Sequence, residues 1–118
     1  MILFIGDKPS SKMRPNARPF EGAACEKRLM EWIRFLGIES DGYVLLNQSD
    51  WPNTLGWLTV ALVRKYPVIA LGNTASRYIS ARNPHFKLPH PSGRNRQIND
   101  KVFINSKLEE CKKYIKGF

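Results

Sequence analysis

Apolar residues along this chain are concentrated in short runs, and each run ends close to a glycine, an asparagine or a proline. The four clearest runs are Ile2–Ile5, Tyr43–Leu46, Val68–Leu71 and Phe86–Leu88. Runs of this length and composition predict β-strands, and the first and third are typical of strands buried on both faces.

Between and after these runs, apolar residues recur at helical spacing. The predicted helices are Ala23–Leu36 stopped by Gly37, a segment from Thr54 to Tyr66, a segment capped by Asn73 that carries Ala75, Tyr78 and Ile79, and a final segment with Leu108, Cys111, Tyr114 and Ile115 on one face. Strand and helix thus alternate four times. This order predicts an α/β fold, a three-layer α/β/α sandwich around a central four-stranded parallel sheet.

The length of 118 residues predicts one domain, residues 1–118, without repeats or linkers. In parallel sheets of this kind, ligands bind at the carboxyl ends of the strands. The loops expected there begin at Gly6, Asn47, Gly72 and His90. We therefore expect the chemistry of the protein at this edge of the sheet.

The formal net charge of +9 is high for this length and favours a polyanionic partner, nucleic acid before an anionic membrane. A solvated basic surface without a specific partner is the alternative. The basic residues form two sets, Lys8, Lys12, Arg14 and Arg18 in one and Lys87, Arg94, Arg96 and Lys101 in the other. The N-terminal segment lacks the features of a signal peptide and no run is long enough to span a membrane, so we expect an intracellular, cytoplasmic protein.

The chain has two cysteines, Cys25 and Cys111, both among apolar neighbours at helical spacing. This setting predicts two buried free thiols. A site with four cysteine ligands is impossible, and neither a metal nor a cofactor is predicted.

Five segments occur in consistent order: Gly6-Asp7-Lys8-Pro9-Ser10 after the first strand, Arg18-Pro19-Phe20-Glu21-Gly22 before the first helix, Val44-Leu45-Leu46-Asn47, Val68 to Ala75, and His90-Pro91-Ser92-Gly93-Arg94-Asn95. Together they resemble the motifs of the uracil-DNA glycosylase superfamily. The Pro-Phe segment is similar to iron–sulfur uracil-DNA glycosylases, and the last loop is similar to single-strand-selective monofunctional relatives. The resemblance covers nearly the whole chain.

The resemblance implies base excision repair of DNA, in which a nucleotide is flipped out of the stack and its N-glycosidic bond is hydrolysed. Asp7 is the candidate carboxylate, stabilising the oxocarbenium-like sugar and orienting water. His90 is the candidate donor to the departing base. The alternative for Asp7 is a loop-bracing role, and the alternative for His90 is a hydrogen bond to backbone. His85 is expected to be structural or exposed.

The resemblance also assigns binding residues. Asn47 would read the amide edge of the base, Phe20 would stack on it, and Gly6 would lie beside it. The DNA-binding candidates are Lys8, Ser10, Lys12, Arg14, Arg18, Ser92, Gly93, Arg94 and Arg96. DNA, single- or double-stranded, is thus the implied partner. Turn formation for Asn47 and ordinary core packing for Phe20 remain open alternatives.

Three departures qualify the resemblance. The iron–sulfur relatives use four cysteines, so this chain is expected to lack their cluster. The best-known uracil-DNA glycosylases have their acid one position later, where this chain has Lys8, and a lysine facing the sugar would repel the developing cation. Those enzymes also follow the proline with a tyrosine that excludes thymine, whereas Ser10 and Ser11 are small.

Three functions are therefore compared. The first is a monofunctional glycosylase acting on uracil or a related modified pyrimidine in DNA, without a cofactor. The second is a weakly active or inactive DNA- or base-binding module of the same fold, acting as a regulator or decoy. The third is an enzyme of free nucleosides or nucleotides, which the basic charge disfavours and for which no phosphate-cradling glycine motif is present.

Overall fold

The computed structural model describes residues 1–6, 24–47, 51–79, 83–89 and 100–117. Four strands and four helices alternate along these residues. They are β1 (Ile2–Gly6), α1 (Ala24–Phe35), β2 (Tyr43–Asn47), α2 (Trp51–Arg64), β3 (Val68–Leu71), α3 (Asn73–Ile79), β4 (Phe86–Leu88) and α4 (Lys101–Lys116).

The four strands form one parallel sheet in the order β2-β1-β3-β4. Ile2 pairs with Tyr43 in β2, and Leu3 pairs with Val68 in β3. Parallel neighbours need a crossover connection, and the alternating helices lie in those connections. The predicted α/β architecture with a four-stranded parallel sheet is confirmed.

Side chains alternate between the two faces of the sheet and form two apolar clusters. On one face, Phe4 and Ile69 pack with residues of α1 and α4, among them Leu29 and Leu108. On the other face the cluster contains buried residues of β1, β3, α2 and α3, namely Leu3, Ile5, Leu58, Ala61, Val68, Ala70, Ala75 and Ile79. The protein is thus layered, with α1 and α4 on one face of the sheet and α2 and α3 on the other.

Two helices end in the same backbone motif. Gly37 has a φ of 74°, and Ile38 N donates to Ile33 O at 3.3 Å, which closes α1 as predicted. After α2, Lys65 has a φ of 58°, and Tyr66 N donates to Ala61 O at 3.0 Å. The left-handed conformation favours glycine, so Lys65 carries a conformational cost that Gly37 does not.

The start of α2 differs from the prediction. The helix begins at Trp51 rather than Thr54, and Pro52 lies in its first turn. Proline is tolerated there because the first turn has no intrahelical acceptor for its missing N–H. Thr54 does not cap the helix; its hydroxyl donates to the carbonyl of Asn47 instead.

The third helix also departs from the expected pattern. Ala75 and Ile79 are buried against the sheet as predicted, but the Tyr78 side chain is 56% exposed. Ala75 and Ile79 are four residues apart and therefore lie on the same, buried face of this two-turn helix. Tyr78 lies outside that face.

The C-terminal helix follows the prediction closely. Leu108 and Cys111 are buried, and Tyr114 and Ile115 are partly buried against the same cluster. Asp100 caps the helix, its carboxylate accepting from Val102 N and Phe103 N at 3.1 Å each. The Cys25 side chain lies outside the described residues. No helix in the described ranges is long and apolar enough to cross a membrane.

Burial determines the chemistry of the Cys111 thiol. The side chain has no exposed surface, and the residue is a free cysteine. Burial disfavours the thiolate and raises the pKa of Cys111 from 9.0 to about 12. A thiol in this state is a core residue rather than a nucleophile or a metal ligand.

Candidate functional site at the carboxyl edge of the sheet

The carboxyl ends of all four strands lie along one edge of the sheet. The register pairs Gly6 with Asn47, and Leu71 with Leu88, while Ile5 pairs with Ala70. One row of residues therefore crosses the sheet at this edge, in the order Asn47, Gly6, Leu71, Leu88. The loops predicted to carry the chemistry begin in this row or within two residues after it.

Gly6 and Asn47 occupy the same face of the sheet. Along β1 and β2, Phe4 and Tyr43 pack in the α1/α4 layer, and positions two and four residues further on return to that face. Neighbouring strands are about 4.8 Å apart, so a side chain at position 6 would lie directly beside the Asn47 amide. Glycine has none, so no side chain of β1 lies beside that amide.

Asn47 is 6% exposed although it is polar and lies at the end of a strand. Its backbone carbonyl accepts a 2.7 Å hydrogen bond from Thr54 Oγ1, and Thr54 is completely buried. The hydroxyl thereby fixes the end of β2 to the first turn of α2. This contact holds the predicted base-reading residue in place.

Gly72 turns the chain from β3 into α3. Its φ is 95°, a conformation that side chains rarely adopt, and its N–H donates to Leu88 O at 2.8 Å. The turn therefore joins the ends of β3 and β4 as well as starting the helix. Next to it, Lys87 Nζ donates to Asn73 Oδ1 at 2.9 Å.

Of the predicted site residues, the structure places Gly6 and Asn47 side by side. The others lie outside the described residues and remain predictions: Asp7, Lys8, Ser10, Lys12, Arg14, Arg18, Phe20, His90, Ser92, Gly93, Arg94 and Arg96.

The ends of β1 and β4 fix where two of the segments that carry the resemblance begin, residues 6–10 and residues 90–95, which we call the signature loops. β1 ends at Gly6, directly before Asp7, and β4 ends at Leu88, two residues before His90. Only β3 separates these strands, so their ends are two strand spacings apart, about 10 Å. The two loops therefore begin about 10 Å apart at the same edge of the sheet.

His85 has the structural contacts expected of it. Its Nδ1 is 3.0 Å from Asn83 O and its Nε2 is 2.8 Å from Ser76 Oγ. Because a carbonyl can only accept, Nδ1 carries a proton, and in the neutral ring the Ser76 hydroxyl donates to Nε2. Sequence inspection missed this pair because only the position of β4 beside α3 brings the two residues together.

The donor set does not fit the iron–sulfur cluster of some similar enzymes. The chain has two cysteines, and Cys111 is sealed in the core with its pKa raised by burial. Among the described residues, no group of three or more His, Cys, Asp or Glu side chains is arranged to hold a metal.

The parallel sheet with helices on both faces defines a class: doubly wound α/β proteins, in which ligands bind at the carboxyl ends of the strands. The family model for the uracil DNA glycosylase superfamily matches residues 1–115. The chain belongs to this superfamily, whose members are glycosylase hydrolases that act on DNA. A search of curated proteins gave no match.

Proposed function

We propose that this protein is a monofunctional DNA glycosylase, which hydrolyses the N-glycosidic bond of uracil or a related modified pyrimidine flipped out of single- or double-stranded DNA. One observation carries the proposal: the buried Asn47 amide lies beside Gly6 at the carboxyl edge of the sheet. The family match over residues 1–115 supplies the reaction class.

The Asn47 amide suits the edge of uracil. The amide offers a carbonyl acceptor and an N–H donor side by side, and uracil presents the complementary pair. Because Asn47 is 6% exposed, water competes little, and a base that leaves these groups unpaired loses about 1–3 kcal/mol. The base is proposed to lie at Gly6, where no side chain projects beside the amide. Phe20 is the proposed stacking partner.

Bond cleavage needs stabilisation of two charges. The sugar becomes cationic and the departing base becomes anionic as the bond breaks. Asp7, directly after β1, is proposed to stabilise the sugar and orient the attacking water. His90, two residues after β4, is proposed to donate to the base oxygen. The spacing of about 10 Å between these strand ends supports the two roles.

The test is base release from an oligonucleotide with one uracil, detected as strand cleavage after alkali treatment. Asn47→Ala removes two hydrogen bonds to the base, so kcat/KM is expected to fall about 10- to 100-fold. Asp7→Asn and His90→Ala are each expected to reduce kcat about 100- to 1,000-fold. Asn53→Ala is the matched control because Asn53 is exposed on α2 and should retain full activity.

The same assay separates the alternatives. If DNA is bound with a steep salt dependence but every base stays intact, the chain is a binding module, as Lys8 in the loop after β1 suggests. If uracil is released from free deoxyuridine as fast as from DNA, the protein is a nucleoside enzyme. Equal activity of Asn47→Ala and Asn53→Ala would contradict the role proposed for Asn47.

A further inference from the structure

A basic pocket lies at the β4 edge of the sheet, apart from the residues discussed for base binding. We call it the β4-edge pocket; its volume is about 460 Å³, and the described residues that line it are Asn73, Ser76, Arg77, His85 and Lys87. This volume is within the usual range of small-ligand sites, about 300–1,000 Å³. The sequence reading placed Lys87 in a basic set but assigned no site here.

The spacing of residues on α3 and at β4 brings the lining side chains of the pocket together. On α3, Asn73, Ser76 and Arg77 are three and four residues apart and share one helix face. Lys87 lies in β4, and His85 directly precedes that strand; the two side chains are two residues apart and both contact α3. The Ser76–His85 and Asn73–Lys87 hydrogen bonds join these two surfaces along their length.

The charge of the pocket is positive and uncompensated within the described part of the chain. No described carboxylate pairs with Arg77 or Lys87, and the described lining residues include no acid. The contact that Lys87 makes is to the neutral amide of Asn73 at 2.9 Å. An ammonium group has three donors, of which this contact uses one, while Arg77 offers a planar fork that suits phosphate.

The walls of the pocket are held by a chain of hydrogen bonds. Asn83 Nδ2 donates to Leu58 O in α2 at 3.0 Å, and the carbonyl of Asn83 accepts from His85 Nδ1. His85 is in turn bonded to Ser76 on α3. The segment before β4 is therefore fixed to both helices of its layer, and the basic side chains extend from a rigid frame.

The pocket adjoins the ligand edge of the sheet. Asn73 directly follows Gly72, whose N–H bonds to the end of β4. Lys87 precedes His90 by three residues, a reach of at most about 11 Å of chain. A nucleic acid strand with one nucleotide at the strand ends would thus pass close to the pocket.

We propose that the β4-edge pocket binds a phosphate of the DNA backbone to one side of the target nucleotide, through Arg77 and Lys87. This inference rests on DNA as the ligand of the proposed function, but not on base hydrolysis. It extends the DNA contact surface from the signature loops to the α3 side of the sheet.

The experiment measures how the affinity for a uracil-free single-stranded oligonucleotide depends on salt. Each phosphate contact contributes about 0.7 to the slope of log K against log salt. In the double variant Arg77→Gln/Lys87→Gln, the slope should fall by about 0.7 to 1.4, according to whether the two side chains hold one phosphate or two. Both residues are exposed, so the fold should be retained.

The matched control is the double variant Arg34→Gln/Lys113→Gln. It removes the same charge from exposed positions on α1 and α4, in the opposite layer. Its slope should match that of the unmodified protein. Equal slopes in the two double variants would overturn the proposal, because the effect would then be one of net charge alone.

A third variant tests the lysine without removing it. Asn73→Asp converts the contact of Lys87 into an ion pair and should lower the affinity for the oligonucleotide, whereas Asn73→Ala should not lower it. Equal weakening by both variants would overturn the role of Lys87.

Inorganic phosphate, titrated at constant ionic strength, distinguishes the source of the anion. Phosphate could bind the unmodified protein but not Arg77→Gln/Lys87→Gln, while both proteins bind the oligonucleotide equally well. In that case the pocket binds a free anion, and the proposal fails. The salt slope is measured on an oligonucleotide without uracil, and base release is measured on the oligonucleotide with one uracil, so the two results are independent. A slope that falls in Arg77→Gln/Lys87→Gln but not in the control, with no base release, would support this inference and contradict the proposed hydrolysis. Base release together with an unchanged slope in Arg77→Gln/Lys87→Gln would support the proposed hydrolysis and overturn this inference.

Discussion

The hydroxyl of Thr54 is the contact whose removal tests how the base-reading strand end is held. Thr54 is completely buried and donates to the carbonyl of Asn47 at 2.7 Å. Thr54→Val keeps the shape of the side chain but leaves the carbonyl without this donor. A buried acceptor deprived of its partner costs about 1–3 kcal/mol, so we take about 2 kcal/mol as the loss in free energy of unfolding.

The expected change in melting temperature follows from chain length. Unfolding entropy is about 2.1 cal/mol/K per residue, which for this chain is about 0.25 kcal/mol/K. A loss of about 2 kcal/mol therefore lowers Tm by about 8 °C. Because the same contact positions Asn47, kcat/KM for uracil release should also fall about tenfold at a temperature where the variant is fully folded.

Thr59→Val on the same helix is the control. Thr59 is exposed, and its hydroxyl donates to the carbonyl of Leu55, one turn earlier, at 3.0 Å. Water can replace that hydrogen bond, so the expected change is within about 0.5 kcal/mol, or about 2 °C. Melting curves followed by circular dichroism suffice for both variants. Equal Tm values for Thr54→Val and Thr59→Val would refute the reasoning.

Three further predictions concern stability. Asp100→Ala removes the cap of α4 and should cost about 1 kcal/mol in urea unfolding, whereas Asp100→Asn should cost a few tenths; equal losses would contradict the capping role. Lys65→Gly should raise the unfolding free energy by about 0.5–1 kcal/mol, because relief of the left-handed strain exceeds the added chain entropy of glycine, and Arg64→Gly should lower it. The pKa of Cys111 is raised to about 12 in the folded protein, so the folded state keeps a proton that the unfolded state loses above pH 9. In a Cys25→Ala background, stability should therefore fall between pH 9 and 12 by up to about 1.4 kcal/mol per pH unit, a slope that Cys111→Ala should lack.

The strands of the sheet were predicted well because each strand is marked by a pattern within its own few residues. β3 and β4 have the predicted bounds, since each is an apolar run with clear punctuation at both ends. Helix ends were predicted where glycine marks them, as at Gly37. The predicted start of α2 was three residues too late, because the helix begins at Trp51 and accommodates Pro52 in its first turn.

The base-binding part of the candidate site was predictable only through the family resemblance. The resemblance assigned Asn47 and Gly6 to base binding, and the register of β1 and β2 brings the two residues side by side. The Ser76–His85 pair was not predictable in this way. This pair depends on which face of α3 packs against β4. A two-turn helix has too few apolar residues to predict that face, and Tyr78, which was placed with Ala75 and Ile79 but is exposed, shows this.

The central position of β1 has a consequence for how the chain folds. Its two partners lie about forty and about sixty-five positions further along the chain, so the middle of the sheet forms only through long-range closures. The entropic costs of these two closures differ by only about 0.4 kcal/mol, too little to impose a strict order of assembly. Such a topology predicts slow folding compared with helical bundles of equal size.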